Sequence, residues 1–556
     1  MAYSSIRIHR LVLFFLTISS LLLLRLFYLQ IIQGQQLALA GLNIRVQGLQ
    51  VDIARGEILD RNHLPLTNTA EQYSVIIFPG QIENTPTQIF RKLNTLLDLP
   101  NEQLDSISHG IHSGEYPFRL SKDIGSDTAK RINELKIPGV VAVAEKKRYG
   151  HGILASHILG YINSADNRGV SGIEGMYDEF LRGNQAEYVA ALVDADQQII
   201  PGLGYKRLKL TANSRENYIV LTVDRQIQKK VETIMDRTII KGAVIVMKPT
   251  TGEILAMASR PSFNPNYLSR YLDQDSAPLL NRAISAYHPG SVFKLVVAAA
   301  ALENKTVKMN DIFWDPGYID VNNVRFQGWD YNKAPIGQLT LTEAMAHSSN
   351  PVFIEVALKL GAAKLIDMAA KFGYGSKTNL GFLGESDGNL PESDQLYPGD
   401  LANLAIGQGF CEATPLQVAQ TIATIVNDGI KVDPYIVSLL TTPDGEVVKK
   451  FQPKQGIPVI SRQTAEKLRA MMAAVTQYGT GQAAYVEVFG SAGKTGSAET
   501  GRTNIAGTSI NHAWFAGFTP LTSPKYVIVV FVEEGMSGSN VAAPIFHEIA
   551  NDLLKN

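Results

Sequence analysis

The stretch that decides both fold and chemistry is Tyr287-His288-Pro289-Gly290-Ser291-Val292-Phe293-Lys294, followed by Leu295-Val296-Val297-Ala298-Ala299-Ala300-Ala301-Leu302. Pro289-Gly290 is a turn signal. The run after Lys294 is apolar on every side, and a helix of that kind is buried. Ser291 therefore stands at or next to the helix N-terminus. Residues three apart share a helix face, so the Lys294 amine lies one turn below the Ser291 hydroxyl and within its reach. A serine hydroxyl is a weak nucleophile until a neighbour takes its proton. A lysine can take that proton only when neutral, and burial or a second nearby cation lowers its pKa. Free N–H groups and the positive dipole end at the helix start suit an anionic intermediate.

Two further motifs give this Ser-x-x-Lys its weight. By composition, about two chance matches are expected in a chain of this length. A second one, Ser491-Ala492-Gly493-Lys494, is present, and its glycines argue against a helix. Ser348-Ser349-Asn350 closes a helical pattern before Pro351 and alone reads as a turn or cap. Lys494-Thr495-Gly496 alone reads as a strand or turn tripeptide. Together, in this order and spacing, the three match the set that acyl-serine transferases use. His288 beside Ser291 reads as a turn residue. The histidines form no H-E-x-x-H or other spaced ligand set, so neither a metal nor a cofactor is expected. Cys411 is the sole cysteine, which excludes an intrachain disulfide and reads as a small buried group.

Outward from these motifs, Tyr218–Val223 reads as a strand and residues 224–240 as a helix. The stretches 242–247 and 252–257, around Pro249-Thr250-Thr251, form a hairpin. The stretches 512–518 and 526–532 are two more strands, with long helical stretches in between. Strands from both ends of a domain with helices between them predict an α+β fold, an antiparallel sheet covered by helices. The region from 36 to 215 is mixed in pattern, with a strand over 73–78 and a helix starting at Thr85-Pro86 and running to Leu97. Pro201-Gly202-Leu203-Gly204 breaks the pattern near its end.

Leu11 to Ile32 is long and apolar enough to cross a bilayer. Arg7 and Arg10 precede it, which places the N-terminus in the cytoplasm and the rest outside. Arg25 snorkels toward the outer headgroups. Ala38-Leu39-Ala40 has the form of a signal-peptide cleavage site, but it lies far from the core of the apolar run, and the run is long for a cleavable segment. An uncleaved anchor follows. The chain has 556 residues, a net charge of -1 and a pI near 6.8. That balance carries no electrostatic footprint for nucleic acid. The expected order is a cytoplasmic tail (1–10), an anchor (11–32), an elongated pedestal or dimerisation domain (33–215) and a catalytic domain (216–556).

With these motifs in place, the chain resembles the class B penicillin-binding proteins, monofunctional peptidoglycan transpeptidases, over nearly its whole length. The Arg55–Arg61 segment and Gly172-Ile173-Glu174 with Leu181-Arg182-Gly183 look like the family's non-catalytic pedestal. Residues 249–257, Pro289-Gly290-Ser291, Gly407-Gln408-Gly409, Thr414-Pro415-Leu416-Gln417 and Gly479-Thr480-Gly481 look like its transpeptidase domain. The resemblance implies that Ser291 attacks the D-alanyl-D-alanine carbonyl of a stem peptide and Lys294 takes its proton. Ser348 would relay a proton to the leaving D-alanine, and Asn350 would order Lys294 and the substrate amide. Lys494 and Thr495 would hold the terminal carboxylate beside Gly496. The backbone N–H groups of Ser291 and Ser497 would form the oxyanion hole. It further implies inhibition by β-lactams, a membrane glycan polymerase and other cell-wall synthesis proteins as partners, and an arrangement compatible with a homodimer. Ser497, Gly150 after Tyr149, and Val292 depart from common family residues without touching the chemistry. A membrane-anchored β-lactamase would keep the same serine and lysine, but resembles the second domain only. A penicillin-binding sensor would need a cytoplasmic output module larger than ten residues. A scaffold without turnover is the remaining rival.

Overall fold

The computed structural model describes every residue except 1, 35–36, 38–45, 83–84, 114–116, 151, 164–166, 193–204, 210–216, 330, 332–334, 505–506 and 556. The cleavage-like Ala38-Leu39-Ala40, the breaker Pro201–Gly204 and the expected 215/216 boundary lie outside the described residues. Helix α1 (Ala2–Phe27) continues through a π-turn to Ile32. Its leucines and phenylalanines are largely exposed. At 1.5 Å per residue it is roughly 39 Å long, enough to cross the hydrocarbon core.

Two compact units follow from the contacts within the chain. One comprises 1–56, 68–150 and 182–217, the other 57–67, 151–181 and 218–556. In the first unit, Ala70–Ile77 is the central strand between Phe118–Ile124 and Val140–Lys147. The helix Pro86–Leu97 buries Ile89, Phe90 and Leu93 in that unit's core. Thr85 holds the N-cap position without a capping bond, so Pro86 alone marks the start.

Two segments within the range 33–215 expected for the pedestal pack with the second unit. Ile58-Leu59 pairs in parallel with Ile219-Val220 of the second unit. Ile158, Leu159, Ile173 and Leu181 are buried in the second unit's main core. The segments around Arg55–Arg61 and Gly172–Glu174 thus divide between the units, because burying their apolar side chains decides where they pack.

The second unit is built on helix α2 (Arg225–Thr238) and a five-stranded antiparallel sheet: β1 (Gly242–Met247), β2 (Ile254–Arg260), β3 (Ala492–Thr503), β4 (Ser509–Thr519) and β5 (Tyr526–Val532). The order is β2-β1-β5-β4-β3, which leaves β3 at an edge. Side chains alternate across the sheet. Ala243, Ile245 and Met247 enter the main core on one face, while Val244 and Val246 face a second core with Val231, Met235, Phe546 and Ile549. Both faces are covered, which is why these strands read as unbroken apolar runs. At the heart of the main core lies helix α3 (Lys294–Glu303), with every residue from Lys294 to Leu302 buried.

Candidate active site

Ser291 lies not in the first turn of α3 but in a 3-10 turn, Gly290–Phe293, that leads into it. In a 3-10 turn residues i and i+3 eclipse, so Ser291 and Lys294 share a face more directly than an α-turn would arrange. Gly290 has φ +56, and a side-chain carbon there would sit 3.0 Å from the Ser497 carbonyl oxygen. Only glycine allows this approach, and it sets the Ser291 turn against strand β3. Ser291 is partly exposed, whereas Lys294 is fully buried. The Lys294 Nζ donates to the Ser348 carbonyl at 2.7 Å and to Asn350 Oδ1 at 2.6 Å, and lies 3.4 Å from Ser348 Oγ. A neutral amine has two N–H donors and one lone pair. Two carbonyl oxygens can engage both donors and leave the lone pair for a hydroxyl proton.

Ser348-Ser349-Asn350 is a joint between two helices. Helix α4 (Leu341–Ala346) ends at His347. The Ser348 N–H then reaches the Met345 carbonyl and the Ser349 N–H the Ala344 carbonyl. That pair of bonds is a Schellman ending, in which the residue after the cap is left-handed and usually glycine. Here it is Ser348, with φ +57. Ser349 in turn caps helix α5 (Asn350–Leu360) by accepting from the Val352 N–H. Asn350, the first residue of α5, donates its Nδ2 to the Gln327 carbonyl. One joint therefore aims the Ser348 hydroxyl and the Asn350 amide oxygen at the same amine.

Strand β3 closes the cleft. Lys494 Nζ donates to Ser348 Oγ at 2.8 Å and to the Thr495 carbonyl at 3.0 Å. Lys494 is fully buried, and loss of hydration pulls its pKa down to about 7. The Thr495 and Thr480 hydroxyls bond each other at 2.7 Å. A side-chain carbon on Gly496 would lie 3.0 Å from both the Pro289 carbonyl and Val292. Ser497 Oγ accepts from the Gly538 N–H. Two buried lysines, Lys294 and Lys494, thus flank the Ser348 hydroxyl, and Asn350 joins them through Lys294, while Thr495 and Ser497 bond Thr480 and the Gly538 N–H.

The competing residues are occupied elsewhere. His288 Nδ1 pairs with the Cys411 carbonyl at 2.8 Å, and the His288 carbonyl accepts from the Trp514 indole. Ser491, of the second Ser-x-x-Lys, is buried and donates to the Ala484 carbonyl while accepting from the Val486 N–H. Three neighbours were not named as site residues from the sequence. Asp315 bonds Ser349, Trp329 donates its indole N–H to the His347 carbonyl, and Thr480 meets Thr495. Only Thr480 carried a signal, as part of Gly479-Thr480-Gly481.

Residues 242–551 match the family model for the penicillin-binding protein transpeptidase domain, and 51–203 that for the penicillin-binding protein dimerisation domain. The chain belongs to the class B penicillin-binding proteins. It is 32% identical to stage V sporulation protein D of Bacillus subtilis, over 95% of this chain and 82% of that protein. It is 26% identical to the peptidoglycan D,D-transpeptidase MrdA of Escherichia coli, over 95% of this chain and 90% of that one. The crystal structure of penicillin-binding protein 3 from Mycobacterium tuberculosis, complexed with aztreonam, superimposes with a TM-score of 0.64 at 27% identity, covering 92% of this chain and 96% of that one. With its apolar N-terminal helix, this class B penicillin-binding protein is membrane-anchored.

Proposed function

We propose that this class B penicillin-binding protein is a serine-type peptidoglycan D,D-transpeptidase that cross-links stem peptides and is acylated by β-lactams. Ser291 Oγ attacks the penultimate D-alanyl carbonyl while Lys294 accepts its proton. The tetrahedral oxyanion is held by the backbone N–H groups of Ser291 and Ser497. Ser348 relays that proton, taking it from Lys294 as it gives its own to the leaving D-alanine nitrogen, so the C–N bond breaks, Lys294 is neutral again and the Ser291 ester remains. Asn350 holds Lys294 and the donor amide, and Lys494 with Thr495 and Gly496 receives the terminal carboxylate. An amine from a second stem peptide then takes the acyl group and frees Ser291. In this reading Arg7 and Arg10 keep residues 1–10 in the cytoplasm and the catalytic unit lies outside, where a membrane glycan polymerase supplies the strands. The reading rests above all on the Ser348 hydroxyl lying between Lys294 and Lys494, two buried amines.

The test is labelling of the full chain in detergent by a fluorescent penicillin. Ser291→Ala abolishes labelling. Lys294→Ala slows it on the order of 10²- to 10⁴-fold, the usual worth of a general base, and His288→Ala still labels. Labelling of Ser291→Ala, or loss with His288→Ala but not with Lys294→Ala, overturns the assignment.

A further inference from the structure

The Ser348-Ser349-Asn350 joint has a second anchor beneath it. Asp315 ends the short strand Ile312–Asp315, is 1% exposed, and makes two bonds. One carboxylate oxygen accepts from the Gly317 N–H at 2.7 Å, the other from Ser349 Oγ at 2.5 Å. Ser349 is itself 2% exposed. A helix cap needs only an acceptor, and Asp or Asn serves as well as Ser. Ser349 uses its donor too. Its oxygen takes the Val352 N–H, and its proton goes to Asp315. A hydroxyl held on both sides cannot rotate, so the backbone of Ser349 is pinned. Its two neighbours are Ser348, strained at φ +57, and Asn350, and both bond Lys294.

We propose that Asp315 is a positioning residue for acyl transfer: through the Ser349 hydroxyl it holds the helix joint so that Ser348 and Asn350 meet Lys294. Asp315 touches neither substrate nor the reacting atoms, and the inference rests on the transpeptidase reading above. Geometry enters the acylation step more than initial binding, because the carboxylate grip belongs to Lys494 and Thr495 on another element.

The experiment measures acylation of the full chain by a fluorescent penicillin across concentrations. This separates the first-order acylation constant from the dissociation constant of the initial complex. Ser349→Ala and Asp315→Asn each lower the acylation constant on the order of 10- to 100-fold, the scale of a misplaced catalytic group. The dissociation constant stays within about twofold. The double variant loses no more than either single one, because both act through one hydroxyl. Ser349→Thr, which keeps the hydroxyl, acylates close to the wild-type rate. Circular dichroism establishes that each variant is folded, and if Asp315→Asn does not fold, the comparison of Ser349→Ala with Ser349→Thr decides. Equal rates for those two, or losses that multiply in the double variant, overturn the proposal. Failure of the wild type to label, or labelling of Ser291→Ala, overturns the transpeptidase reading instead.

Discussion

At Ser348 the backbone and the chemistry make opposite demands. A left-handed residue without glycine's freedom costs on the order of 1 kcal/mol, yet a glycine there would remove the hydroxyl between Lys294 and Lys494. Both demands show in one comparison. Ser348→Gly and Ser348→Ala each lose turnover, but the glycine variant is the more stable of the two by about 1 kcal/mol in denaturant unfolding; equal stabilities would deny the strain. The motif itself was legible from residue types and order. Its left-handed geometry was not, because Ser348-Ser349 carries no glycine to mark the helix end. Lys494 adds a pH term. Its folded pKa, about 7, lies below the ordinary lysine value of 10.5. Between these values the unfolded chain binds the extra proton, so stability rises with pH, by at most about 1.4 kcal/mol per unit. Below pH 7 both states are protonated and that contribution is lost. The Tm of the wild type therefore gains on that of Lys494→Met between pH 7 and pH 9, and parallel curves would place the amine in water.

At the scale of elements, what periodicity encodes was readable. The hairpin over 242–257 and the strands near 512–518 and 526–532 stand where their apolar runs put them. Contacts between distant segments were not. Nothing in Phe313-Trp314-Asp315-Pro316-Gly317 announces a carboxylate under Ser349, since that bond joins residues 34 apart. The 3-10 entry into α3 is equally a product of packing, set by the approach of Gly290 to Ser497. Helix α3 converts packing into site geometry. Ala298 to Ala301 have no exposed surface, so larger side chains there have no room. Ala299→Leu costs about 1–3 kcal/mol by overpacking and slows acylation, because Lys294 and the Ser291 turn are displaced with the helix. Ile240→Thr, at a position 87% exposed, changes neither. Thermal unfolding and penicillin labelling of the two variants check this; a stable, fully active Ala299→Leu would uncouple helix packing from the site.

For the whole molecule, the order of apolar helix, dimerisation domain and transpeptidase domain was legible, whereas the packing of 57–67 and 151–181 with the second compact unit carried no signal along the chain. Sequence patterns are read along the chain, whereas a core collects apolar side chains wherever they fold back. Residues 151–181 come before the boundary near 217, yet Ile158, Leu159 and Ile173 are wholly or almost wholly buried beside residues of the catalytic unit. The stability of the penicillin-binding unit thus depends on a segment that looks like pedestal. Ile173→Ala removes a fully buried side chain from that core and costs about 2–5 kcal/mol. Leu93→Ala removes a comparable one from the core of the first unit. Heating the full chain and then adding fluorescent penicillin reads the second unit alone. The temperature at which labelling is lost falls with Ile173→Ala and stays with Leu93→Ala. The reverse pattern would return residues 151–181 to the pedestal.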